Sequence, residues 1–169
     1  MGKKEREKSN LKKKKGENME KKKIRKSILL VEDNTTVGLI VSKLLEHITL
    51  DNFDLEVRWE KDPIKALEII EDITELVDLV ITDKDMPGVD GLEIIRAMLA
   101  NRPETPIVGV SGDVLGFEQG IRADLGERCP HITIVNLERR FEHFNGDISL
   151  IAKPLERIYL KSLLLSVFG

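Results

Sequence analysis

Cysteine is almost missing from this 169-residue sequence, where Cys129 stands alone. One thiol excludes an internal disulfide framework and any cysteine-based metal cluster within a single chain. Nor is there an apolar run approaching the roughly 20 residues needed to span a bilayer. The first thirty residues are lysine-rich and lack the apolar centre of a signal peptide. The myristoylation pattern fails as well, because Arg6 stands where Ser or Thr is required. These absences predict a soluble, cytoplasmic protein with no transmembrane segment. What is present, 41% hydrophobic and 34% charged residues, suffices for one sizeable core rather than two.

The net charge of −3 hides two unlike parts. Residues 1–26 carry 13 Lys/Arg and 4 Glu, a charge of +9, whereas residues 27–169 carry 14 Lys/Arg against 26 Asp/Glu, a charge of −12. The basic part has no apolar period and reads as a disordered arm. Such an arm attracts nucleic acid or an anionic surface weakly, since it has no aromatic residue for base stacking. Met19 follows Lys-Gly-Glu-Asn, which a purine-rich stretch resembling a bacterial ribosome-binding site would encode. Residues 1–18 are therefore a candidate translated leader.

From Ser27 onward, strand and helix signals alternate. SILLVE (27–32) reads as a strand, and TTVGLIVSKLLEHI (35–48) places Val37, Ile40, Leu44 and Ile48 at helical spacing. DLEVRW (54–59) alternates, and Asp62-Pro63 then supplies a cap and a first-turn proline for IKALEIIEDI. LVIT (79–82) pairs with the helix GLEIIRAMLANR (91–102), IVGV (107–110) is a fourth strand and ISLIA (148–152) a fifth. A last helix, PLERIYLKSLLLSVF, has Pro154 in its expected first turn. Strands alternating with helices of this length imply an α/β, doubly wound, five-stranded parallel sheet with helices on both faces.

In such a sheet, sites form where the strands end and the connecting loops begin. Here the strand ends are polar: Glu32-Asp33, Asp83, Ser111 and Lys153. An acidic residue there often caps the next helix, and that reading is open for Asp33. Brought together, however, three carboxylates repel by about 4 kcal/mol per pair at an effective dielectric near 20 and need a cation. All-oxygen ligands select a hard ion, and Mg²⁺ (or Mn²⁺) suits a site of few carboxylates completed by water and phosphate. With the Lys153 ammonium and the Ser111 hydroxyl, these are parts for transferring a phosphoryl group to a carboxylate.

At this point residues 27–169 resemble a response regulator receiver domain of two-component signalling. The resemblance is carried by LLVEDN (29–34), DKDMPGVDG (83–91), GVSG (109–112) and AKP (152–154), in order and in strand placement. It implies a flavodoxin-like fold in which Asp83 is the phosphoacceptor for a phosphohistidine on a histidine kinase or histidine phosphotransfer protein. It further implies that Glu32, Asp33, Asp83 and the backbone carbonyl of Asp85 hold the metal ion. Ser111 would hydrogen-bond the phosphoryl group and Lys153 would pair with it. Met86 and Pro87 would shape the loop, and Gly88 and Gly91 would permit its turns.

Two departures stand out. Receivers usually carry Tyr or Phe three residues before the lysine, as the partner of the Ser111 switch position; here Leu150 stands there. The 42 positions from Ser111 to Lys153 also exceed the usual spacing by about twenty, an insertion between strands 4 and 5 within 113–147. It contains a weakly helical stretch near 117–125, a strand-like run HITIV (131–135) and the amphipathic LERRFEHF. Phe141 and Phe144 are either anchors for a partner or part of the domain's own packing. His131 and His143 lack companions at metal-ligand spacing and read as surface or packing residues, and His47, on the first helix, is not a phosphodonor candidate.

The expected function is a stand-alone phosphoacceptor, because the sequence to Gly169 leaves no room for a DNA-binding or enzymatic output domain. Its signal would pass by contact with a downstream protein. One alternative is a haloacid-dehalogenase-type phosphatase, which also uses an Asp nucleophile with a second Asp two positions on, as in DKD. That reading gives Glu32-Asp33 no role. The other alternative is a degenerate receiver that acts only as a binding module.

Overall fold

The computed structural model describes residues 22–126, 132–135, 148–153 and 155–169. Met19, Cys129, His131, Phe141, His143, Phe144 and Pro154 lie outside them, as does most of the basic segment.

The elements are β1 (Ile24–Val31), α1 (Thr35–Glu46), β2 (Phe53–Glu60), α2 (Pro63–Glu71), β3 (Leu79–Asp83), α3 (Gly91–Asn101), β4 (Ile107–Ser111), α4 (Val114–Leu125), β5 (Ile132–Val135), β6 (Ile148–Ala152) and α5 (Arg157–Phe168). All pairings are parallel, in the order β2-β1-β3-β4-β6-β5. The five expected strands are present in doubly wound order. The HITIV run adds a sixth, pairing Ile132–Val135 with Ile148–Ile151 at the sheet edge.

Two boundaries differ from the sequence pattern. β1 begins at Ile24, so Ile24, Arg25 and Lys26 of the basic segment pair with Phe53, Asp54 and Leu55. Ion pairs Arg25–Glu56 and Lys26–Asp78 accompany that extension, and neither is visible as apolar alternation. The last helix starts at Arg157 rather than at Pro154, with Glu156 at its N-cap and no side-chain cap bond.

Period-two alternation divides the core between the two faces. Ile28 and Leu30 of β1, Leu79 and Ile81 of β3, Val108 and Val110 of β4 and Ile151 of β6 pack with Val41, Leu45, Leu160 and Leu163 under α1 and α5. Leu29, Val31, Val80, Ile107 and Leu150 pack with Ile70, Ile94, Met98 and Phe117 under α2, α3 and α4. Each such buried aliphatic side chain contributes about 1.5–3 kcal/mol of transfer free energy.

Helix starts are set by side-chain caps. Asn34, Asp62, Asp90 and Asp113 accept from backbone N–H groups of α1, α2, α3 and α4, and Asp90 with Glu93 forms a reciprocal capping box. The α1 cap is Asn34, whose Oδ1 accepts from Thr36 and Val37 at 3.0 and 3.2 Å. Asp33 is thereby released from capping.

Candidate functional site

The β-strand period places the site. Glu32 extends the Ile28–Leu30 face of β1, Asp83 extends the Leu79–Ile81 face of β3, and Lys153 lies two residues beyond Ile151 of β6. Val31 pairs with Thr82 and Val110 with both Asp83 and Ile151, so parallel register brings the three side chains to one end of the sheet on the α1 and α5 side.

There Lys153 Nζ donates to Asp83 Oδ1 at 2.9 Å and to Glu32 Oε2 at 3.2 Å. Glu32 Oε1 accepts from the Asn34 N–H at 3.2 Å, and Asp83 Oδ1 accepts from the Lys84 N–H at 2.8 Å. Glu32 and Asp83 are buried, at 4% and 7% exposure. One carboxylate oxygen each from Glu32, Asp33 and Asp83 falls within 4.8 Å of the others. The lysine leaves an excess of two negative charges across these three groups.

Burial, and next the Asp83 charge, raise the Glu32 carboxyl above its ordinary value, with Lys153 opposing. Burial alone would lower the Lys153 ammonium, but the hydrogen bond and charge of Asp83, with Glu32, raise it instead. The walls intensify this, because Glu32, Asp83 and Lys153 line a cavity of about 230 Å³ together with Leu30, Ile81 and Val110. Compressed carboxylates of this donor type, incompletely neutralised and beside apolar walls, fit a hard divalent cation.

Ser111, 1% exposed, closes β4 on the opposite parity. Its Oγ accepts from the Asp113 N–H at 2.9 Å, and its carbonyl accepts from the Lys153 N–H at 3.0 Å. Asp85 points its side chain to solvent, at 77% exposure. Met86 is buried in the α2–α4 core. Gly88 holds φ +84, and Gly91 brings α3 so close that a Cβ would fall 2.3 Å from the Asp83 carbonyl oxygen. Leu150 is fully buried and, with Phe117, packs on Gly109.

Sequence reading missed one participant. The Trp59 indole Nε1 donates to the Glu32 carbonyl oxygen at 2.9 Å. The only signal was indirect: Gly38 sits inside α1, where glycine costs about 1 kcal/mol relative to alanine.

No helix among the described residues is long and apolar enough to cross a membrane. Residues 28–119, over half of the chain, match the response regulator receiver domain model. The chain is 32% identical over 125 residues to the autoinducer 2 sensor kinase/phosphatase LuxQ of Vibrio harveyi, covering 68% of this chain and 14% of that protein. It is 28% identical over 99 residues to the response regulator ArlR of Staphylococcus saprophyticus, covering 59% and 41%. It thus spans less than half the length of either relative.

In structure it is similar to the chemotaxis protein CheY4 of Vibrio cholerae, with a TM-score of 0.61 at 20% identity over 85% of this chain and 99% of that one. It is similar as well to the receiver domain of the sensor histidine kinase PA1611 of Pseudomonas aeruginosa, with a TM-score of 0.60 at 21% identity over 85% and 98%. That domain has a magnesium ion coordinated in its active site cleft. With the family model covering most of the sheet and both acidic strand ends, the chain belongs to the response regulator receiver domain family.

Proposed function

We propose that the protein is a phosphoacceptor that takes a phosphoryl group onto Asp83 from a phosphohistidine of a histidine kinase or histidine phosphotransfer protein. In this reading it acts in the cytoplasm and signals by contact with a downstream protein. The observation that carries it is the convergence of Glu32, Asp33 and Asp83 with Lys153 at the carboxyl end of the sheet. The phosphatase alternative gives Glu32 and Asp33 no part, and a binding module has no use for such a costly cluster.

An Asp83 carboxylate oxygen attacks phosphorus while the phosphorus–nitrogen bond of the donor breaks, and the imidazole leaves with a proton from solvent. Lys153, already 2.9 Å from Asp83, pairs with the charge on the transferred group. Ser111 ends the neighbouring strand on the opposite parity, and its hydroxyl would serve as a donor to a phosphoryl oxygen while Oγ accepts from the Asp113 N–H. Glu32, Asp33, Asp83 and the Asp85 carbonyl would hold Mg²⁺ or Mn²⁺. The bound cation supplies neutralisation of the carboxylates and of the phosphoryl oxygens. The magnesium in the PA1611 receiver supports that assignment by likeness of fold. Ser111 and Leu150 are the proposed switch positions.

Incubation with acetyl phosphate and Mg²⁺, followed by intact mass measurement, tests the reading. A Mg²⁺-dependent phosphoryl adduct should form on the wild type and vanish in Asp83→Asn. No adduct, or one that survives Asp83→Asn, overturns it.

A further inference from the structure

Trp59 is the sole tryptophan of the chain and lies on β2, outside every motif that marks the acidic site. Parallel register pairs it with Leu30, and the β1–β2 ladder runs on to a bond from the Glu32 N–H to the Glu60 carbonyl at 3.2 Å. The indole N–H then takes the Glu32 carbonyl at 2.9 Å. Both backbone polar groups of Glu32 are therefore held by β2.

The carbonyl that Trp59 holds belongs to the peptide unit joining Glu32 to Asp33. With this carbonyl and the Glu32 N–H both held, ψ of Glu32 is fixed, and a change in that angle alone would carry the Asp33 backbone, and its carboxylate with it, to a new direction relative to Asp83. The indole itself has little freedom. It lies across the first turn of α1, where a Cβ on Gly38 would fall 2.2–2.4 Å from three of its atoms. Gly38 in turn opens the helix with its N–H on the Asn34 carbonyl at 2.8 Å. Acidic loop, indole and helix start form one packed unit.

We propose that Trp59 is a positioning residue for the cation site, fixing the peptide between Glu32 and Asp33 so that both carboxylates face Asp83. The inference rests on the reading of Glu32, Asp33 and Asp83 as a Mg²⁺ site. Outer hydrogen-bond partners of this kind set ligand direction, and losing one typically weakens metal binding by 10-fold to 100-fold.

The test is calorimetric titration of the full chain with Mg²⁺ alone, for wild type, Trp59→Phe, and protein carrying benzothienylalanine at 59, which keeps the indole shape and lacks its N–H. Both replacements should bind Mg²⁺ about tenfold more weakly. In acetyl phosphate reactions, half-saturating Mg²⁺ should rise by the same factor while the rate at saturating Mg²⁺ stays within about twofold. A residue that only packs would lower the unfolding midpoint and leave Mg²⁺ affinity unchanged, and that result, in the isostere above all, sinks the proposal. Failure of the wild type to bind Mg²⁺ would instead strike the reading of the site beneath it.

Discussion

Lys153 Nζ lies 2.9 Å from Asp83 Oδ1, so the ammonium rests on the very carboxylate expected to receive a phosphoryl group. On the proposed function the lysine would play two opposing parts, competing with a metal ion for the acidic cluster and offering charge to the transferred group. Lys153→Ala should therefore bind Mg²⁺ several-fold more tightly while accepting phosphate from acetyl phosphate about a hundredfold more slowly. Calorimetry and timed mass measurement on the same variant check both directions. A parallel fall in both quantities contradicts the division of roles.

The raised Glu32 carboxyl gives a pH dependence whose sign follows by linkage. Its folded value lies above the ordinary 4.5, so the folded protein holds the proton more tightly than the unfolded chain. This contribution is full below the ordinary value and is lost as pH rises through the raised one. Glu32→Gln should then stabilise the metal-free protein at neutral pH by about 1 kcal/mol, with little effect near pH 4. Thermal unfolding in chelator at the two pH values measures it, and the stabilisation that Mg²⁺ confers on the wild type should disappear in the variant.

Gly91 and Gly88 should respond differently to alanine. At Gly91 the new Cβ would meet backbone of Asp83 and Lys84 at 2.3 and 2.9 Å, which cannot yield as a side chain does. Gly91→Ala should cost 2–4 kcal/mol or displace the loop, on the scale of other overpacked sites, and abolish the phosphoryl adduct. At Gly88, φ +84 with open space around it, alanine should cost about 1 kcal/mol and leave phosphorylation intact. Denaturation curves and adduct mass distinguish the two.

Leu150 stands where receivers usually carry an aromatic ring, and the space beside it is taken. Phe117, 2% exposed, and Leu150 both press on Gly109, where a Cβ would fall 2.6 and 2.7 Å from them. Leu150→Tyr should destabilise the domain by about 1–3 kcal/mol through overpacking rather than restore a mobile ring. Unfolding in urea tests this, and a neutral substitution would show that Phe117 can move aside.

The acidic cluster was legible before folding because its members sit at ends of apolar runs, where period-two alternation and turn residues announce strand termini. Glu32, Asp33, Asp83, Ser111 and Lys153 could be named on that ground, and their sheet with them. The start of β1 was less legible, because Ile24–Lys26 is held by cross-strand pairing and ion pairs rather than by an apolar pattern. Asp33 could be read equally as a cap until Asn34 was found in that place.

Local chemistry along the chain thus determined where the five apolar strands lie and the kinds of group that close them, both of which depend on near neighbours. Only the tertiary structure decided which of those groups meet. Parallel register set Glu32 level with Asp83 and brought Lys153 across to both. Ser111 fell on the other parity, and a tryptophan from the next strand took hold of the Glu32 carbonyl over a glycine with no side chain. Such contacts join residues far apart in the chain, and they arise from register and shape, which no local pattern of residue types encodes.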